Sequence, residues 1–190
     1  NGRLIRVLLL LLGLVAPALA YAQSDRPDPA KVTRIWYDLS FDLIRHTPTY
    51  TPPVASRALG YIGVTVFEVA ASGDPALVSL AGQLNGLTEV PERPPGAAYD
   101  EALVLHAALA TVMAELFQNT GPTGQRALGA VTGKLGDQLL TGVDPAVADR
   151  SLTYGRAVAA HILAWASTDG GATIENMGRS EERRVGKECL

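Results

Sequence analysis

The stretch from Val54 to Ala71 constrains this chain most: it is apolar or small nearly all round, with Arg57 and Glu68 as its only charges. A helix built from such residues has no polar face and is expected at the centre of a bundle. Only ten residues separate the two charges, which is too few to span a bilayer between them. Eleven positions apart on a helix, Arg57 and Glu68 point to nearly the same side. Both are therefore expected to meet partners from neighbouring helices. Thr51 reads as the N-cap of this helix, with Pro52 and Pro53 in its first turn.

The flanking segments have helical periods too. After Pro29, the residues Val32, Ile35, Trp36, Leu39 and Leu43 form an i, i+3, i+4, i+7 stripe, and Lys31, Arg34, Asp38, Asp42 and Arg45 occupy the wet side. Ala76–Leu87 is interrupted by glycine and is read as short helical turns, and Thr88–Gly96 holds three prolines and reads as a loop. Three further helices are predicted at about Tyr99–Phe117, Thr123–Thr141 and Pro145–Ser167, the last opened by Asp144 as N-cap and closed at Asp169-Gly170-Gly171. No alternating β-branched run competes, so the fold class is all-α, a bundle of about five main helices.

The two ends differ from this middle. Arg3 and Arg6 precede an apolar run, Val7–Val15, and then Ala18-Leu19-Ala20-Tyr21-Ala22, in the order of a secretory signal peptide. Residues 1–22 are assigned to it, with cleavage after Ala22 and Ala20 as the alternative, implying a secreted or bacterial periplasmic protein without a membrane span after cleavage. Arg179–Cys189 breaks abruptly into dense charge and resembles, residue for residue, a translated short-read sequencing adapter, so 179–190 is set aside as artefact. The single cysteine, Cys189, goes with it. Residues 23–178 then hold 10 Lys and Arg against 16 Asp and Glu, a net charge of −6. That balance carries no basic footprint for nucleic acid.

Few residues carry chemistry in any recognisable spacing. Asp38, Asp42 and His46 stand at i, i+4, i+8, the spacing of metal ligands on one helix face, but Arg34 and Arg45 are placed to pair with the two carboxylates as an ordinary solvated face. His106 and His161 are single histidines in separate Ala-rich helices and are read as packing or surface residues. Glu68 must find a hydrogen-bond donor, and a structural bond is the expectation. No catalytic, cofactor-binding or metal-binding residue is assigned.

Thr51-Pro52-Pro53-Val54-Ala55-Ser56-Arg57, running on to Phe67-Glu68-Val69-Ala70 and preceded by Trp36, resembles the start of the bacterial vanadium-dependent haloperoxidase-like proteins of the type 2 phosphatidic acid phosphatase superfamily. Tyr154-Gly155-Arg156-Ala157-Val158-Ala159 and Ser167-Thr168-Asp169-Gly170-Gly171 look like a later segment of the same family. The resemblance implies the N-terminal portion of a larger helical-bundle domain, residues 23–178. It also implies vanadate in the intact parent, with hydrogen peroxide and a halide as substrates, or a phosphoester in the phosphatase relatives. The family's oxyanion signature is K-x6-R-P, P-S-G-H and S-R-x5-H-x3-D. Here Leu19 and Gly86 stand where the Lys should precede Arg26-Pro27 and Arg93-Pro94, and Gly63 stands where the His should follow Ser56-Arg57. The active-site half is therefore expected beyond this chain, and the chain alone is predicted to be inactive. The competing reading is a non-enzymatic exported helical binding module.

Overall fold

The computed structural model describes residues 26–172, so the signal-peptide and adapter assignments lie outside the described residues. Five helices follow in order: α1 (Pro29–His46), α2 (Pro52–Gly73), α3 (Glu101–Leu116), α4 (Pro122–Leu140) and α5 (Pro145–Ala166), with a 3-10 turn at Ser167–Asp169. There is no strand among the described residues, and the fold is all-α.

The helix starts are set by local chemistry. Asp28, Asp100 and Asp144 each accept first-turn backbone N–H bonds, from Lys31, from Leu103, and from both Ala146 and Val147. Proline opens α1, α2, α4 and α5, where its missing N–H leaves no helical bond unmade. Thr51 holds the N-cap position of α2 in extended geometry, but its side chain makes no capping bond, and the two prolines supply the start signal instead.

Helix α3, not α2, is the central one. Eleven of the 16 residues of α3 are buried, against six of the 22 in α2. Hydropathy measures how apolar a helix is, but centrality depends on how many neighbours surround it. Helices α1, α2, α4 and α5 all pack on α3, with α5 making the most extensive contact. Gly155 makes that approach close: a Cβ there would run into the Val104 carbonyl oxygen and stand 3.0 Å from the Ala107 Cβ. The core gathers Trp36, Ile62, Leu103, Leu109, Met113, Phe117, Leu139 and Ile162, all fully buried.

The segment Ala76–Leu87 forms isolated turns and no continuous helix; one of them is a helical turn, in which the Leu84 N–H donates to the Leu80 carbonyl at 3.0 Å. Gly82 and Gly86 sit at φ +74° and +79°, left-handed positions that stop helix propagation. The Gly82 N–H instead donates to the Leu87 carbonyl at 2.9 Å.

Candidate functional site

Asp38, Asp42 and His46 lie exposed along α1, and Asp42 pairs with Arg45 at 3.6 Å as the charge spacing implied. They gather no metal site, nor do any other His, Cys, Asp or Glu among the described residues. His161 is half-buried on α5, with Nε2 3.1 Å from the Thr88 carbonyl oxygen, so it tacks down the proline-rich loop.

His106 is a packing residue of the core. Its ring lies 5.7 Å from that of Trp36, between centroids, and its Nε2 would be 3.2 Å from a Cβ at Gly136 of α4. Burial pushes its imidazole below the ordinary value, with a hydrogen bond to the Thr132 backbone acting the other way. His106 Nδ1 and Trp36 Nε1 are buried without a hydrogen-bond partner among the described protein groups.

Glu68 is 1% exposed and does find donors. The Ser79 hydroxyl donates to Oε2 and the Leu80 N–H to Oε1, each at 2.7 Å. Both come from the loop after α2 rather than from a neighbouring helix, because a loop offers free backbone N–H groups that a helix interior lacks. Glu68 thus fixes the turn that carries Val78, 74% exposed, into solvent.

Arg57 meets the far end of the bundle. Its Nε donates to Asp169 Oδ2 at 2.7 Å and its Nη2 to the Ala166 carbonyl at 2.8 Å, while the Tyr61 hydroxyl donates to the same Oδ2 at 2.8 Å. The guanidinium also lies 5.0 Å over the Tyr61 ring. Arg57 holds the Asp169 carboxyl below its usual value, despite the burial that works against its charge. Burial and the Asp169 contact push the Tyr61 hydroxyl up to about 12. Sequence spacing gave no sign of this cluster, because 112 residues separate Arg57 from Asp169.

A second arginine cluster surrounds the start of α3. Arg93 is paired with Glu101, donates to Ser72 Oγ at 3.1 Å, and lies about equally over the Tyr99 and Tyr154 rings, at 4.9 and 5.0 Å. Arg26 meets Asp100 at 2.7 Å, and Arg150 donates to the Ala98 carbonyl at 2.9 Å. Three cations therefore converge near Tyr99–Glu101, but Asp100 and Glu101 already occupy two of them. A vanadate-sized oxyanion needs several convergent donors free of carboxylate competition, and this donor set does not fit one.

One groove of about 320 Å³ opens beside α2, lined by Ala30 and Thr33 of α1, Val66, Val69 and Ala70 of α2, and Leu105 of α3. Its walls are almost wholly apolar, so it is a place for packing rather than for bond chemistry.

Together, the five helices, the central α3 and the close Gly155 approach define an all-α bundle among the described residues. The chain is similar in structure to a bacterial vanadium-dependent iodoperoxidase known from its crystal structure, with a TM-score of 0.65 and 28% identity, covering 77% of this chain. It spans about a third, 34%, of that protein's chain. No family model and no curated protein matches the sequence.

Proposed function

We propose that this chain is the N-terminal helical part of an exported vanadium-dependent haloperoxidase-like protein, whose intact form oxidises a halide with hydrogen peroxide. The observation that carries the reading is the fold likeness to the iodoperoxidase at 28% identity over most of this chain but only 34% of that one. The order Trp36, Pro52-Pro53-Val54-Ala55-Ser56-Arg57 and Phe67-Glu68 supports the same family by resemblance. In the intact parent, vanadate would supply peroxide activation, held by residues outside those described here. The part described serves as scaffold: its arginines brace helices and loops, and its central α3 anchors the bundle. On this reading the 190-residue chain alone oxidises no halide and hydrolyses no phosphoester. The signal-peptide order of residues 1–22 supports export, and N-terminal sequencing of the mature protein is expected to begin at Gln23.

The deciding experiment carries the gene past codon 178. The reading expects K-x6-R-P and P-S-G-H to follow, and vanadate-dependent iodination or bromination by the complete product. Robust halide oxidation by the 190-residue chain, or an extended gene without those motifs, overturns it.

A further inference from the structure

Asn85 and Gly86, in the loop between α2 and α3, form the Asn-Gly step among the described residues, and both are exposed. In such a step the glycine nitrogen can attack the side-chain amide carbon of the asparagine, because no β-carbon crowds the nucleophile. In a folded protein the reaction depends on whether either group is held by other partners. Here neither is: among the described residues the Asn85 side-chain amide makes no hydrogen bond, and the Gly86 N–H donates to no acceptor. Asn119 is placed differently, since the next residue is the β-branched Thr120, whose N–H donates to the Phe117 carbonyl at 3.2 Å. At Asp169-Gly170, the related acidic step, the carboxylate is occupied by Arg57, the Tyr61 hydroxyl and the Gly171 N–H.

One contact restrains Asn85. The Leu87 N–H donates to the Leu84 carbonyl at 3.2 Å, Gly86 sits at φ +79°, and no described residue other than glycine has positive φ. Residues 84–87 therefore make a type II turn, with Gly86 at the position that requires the left-handed region. This turn points the Gly86 nitrogen away from the Asn85 amide, so attack requires the peptide plane between them to rotate. The Trp165 indole N–H holds that plane by donating to the Asn85 carbonyl at 3.1 Å, and the indole lies 3.6 Å from where a Cβ on Gly86 would stand. We propose that Asn85 is a site of spontaneous deamidation and that the hydrogen bond from Trp165 sets its rate.

The chemistry needs only water. A bond forms between the Gly86 nitrogen and Asn85 Cγ, the bond from Cγ to Nδ2 breaks, and the side-chain nitrogen leaves as ammonia with the Gly86 proton. The resulting succinimide takes up one water. Opening at the side-chain carbonyl gives aspartate, and opening at the main-chain carbonyl gives isoaspartate. Either product adds a negative charge, and isoaspartate lengthens the main chain by one carbon. That displaces the carbonyl Trp165 binds and pulls on Leu87, which is 3% exposed and accepts the Gly82 N–H. The loop then loosens from α5 while the helices stay packed.

The test ages the folded 190-residue chain in mildly alkaline buffer and follows the peptides by mass spectrometry, with methyl transfer by an isoaspartyl methyltransferase as a second readout. Aspartate and isoaspartate are expected at Asn85, at least about 10-fold faster than at Asn119 in the same digest. Trp165→Phe removes the indole donor and is expected to speed Asn85 by about 2- to 10-fold, as loss of one hydrogen bond implies, with Asn119 unchanged. Asn85→Gln leaves the main-chain carbonyl to Trp165 and is expected to abolish the acidic species seen by isoelectric focusing. No product at Asn85 over a time in which the urea-unfolded chain converts overturns the proposal, and so does an acidic species that persists in Asn85→Gln. An unchanged rate in Trp165→Phe, or one raised equally at Asn119, overturns control by Trp165. Neither readout involves halide oxidation, so the result stands apart from the functional reading.

Discussion

Arg57 on α2 and Asp169 in the 3-10 turn after α5 form a two-point ion pair, with Nε to Oδ2 at 2.7 Å and Nη2 to Oδ1 at 3.1 Å. The Arg57 side chain is mostly buried and that of Asp169 about one-third exposed, so solvent screening discounts the pair without abolishing it. Asp169→Asn is expected to lower stability by about 1–2 kcal/mol, and Arg57→Lys by a similar amount because a lysine cannot match the planar fork. A double-mutant cycle read by urea unfolding should show coupling, and purely additive losses would mean the clasp contributes nothing.

That clasp also has a pH signature. The folded Asp169 value is depressed from 3.8, so its contribution is present above about pH 4 and is lost as pH falls through the folded value. The Tyr61 hydroxyl is raised to about 12 from 10.0, so its contribution holds below pH 10 and fades as pH rises towards 12. Tyr61→Phe should reduce the alkaline loss in a melt series between pH 9 and 11, with the share from buried Tyr37 remaining, and leave most of the acid limb, because Arg57 and the Gly171 N–H still hold the Asp169 carboxylate.

Glu68 separates hydrogen bonding from charge. Glu68→Ala strips the partners from Ser79 Oγ and the Leu80 N–H and is expected to cost about 3 kcal/mol, whereas Glu68→Gln keeps one acceptor and should cost about half as much. Amide exchange at Leu80 should accelerate in both, more in the alanine variant. Unchanged protection there would show that the turn holds itself.

These interactions divide what could be read from the residues alone from what could not. Helix starts were legible because Asp144-Pro145 and Pro52-Pro53 act within one turn of themselves. The need of Glu68 for a donor was legible from its apolar setting, but the identity of Ser79 and Leu80 depended on how the next loop folds back. The centrality of α3 was hidden because α2 is also strongly apolar, and only packing shows that α3 buries eleven of its 16 residues while α2 buries six of its 22. Asp169 looked like part of a helix stop, and nothing local ties it to a residue 112 positions away. The likeness to the haloperoxidase fold came from the order of short motifs, which holds even where each motif is weak. At the candidate site, Asp38, Asp42 and His46 had a ligand spacing that the structure leaves on an open surface.

Close approach of α3 and α5 gives a paired prediction. Gly155→Ala puts a methyl against the Val104 carbonyl and the Ala108 N–H, between two helix backbones that cannot yield separately. The expected loss is about 3 kcal/mol, beyond what propensity alone would return. At Gly133 of α4 a Cβ meets nothing within 4 Å, so Gly133→Ala should stabilise by about 0.5–1 kcal/mol. Thermal melts of the two variants should move in opposite directions, and a harmless Gly155→Ala would mean that the helices do not touch there.

His106 predicts how the core responds to acid. Its folded value is lowered from 6.5 by burial, so the unfolded chain takes up a proton at a pH where the folded chain does not. Stability is therefore full above about pH 6.5 and falls as pH drops below it, by up to about 1.4 kcal/mol for each pH unit until the folded value is reached. His106→Gln cannot titrate and keeps an amide N–H that can reach the Thr132 backbone. It should lose about 1–2 kcal/mol at pH 7.5, because the Trp36 packing changes, yet show a flatter profile down to pH 5. Urea midpoints across that range, with His161→Gln as the half-exposed control, measure the difference. Equal slopes in the native chain and in His106→Gln would rule out a neutral buried imidazole as the source of acid sensitivity.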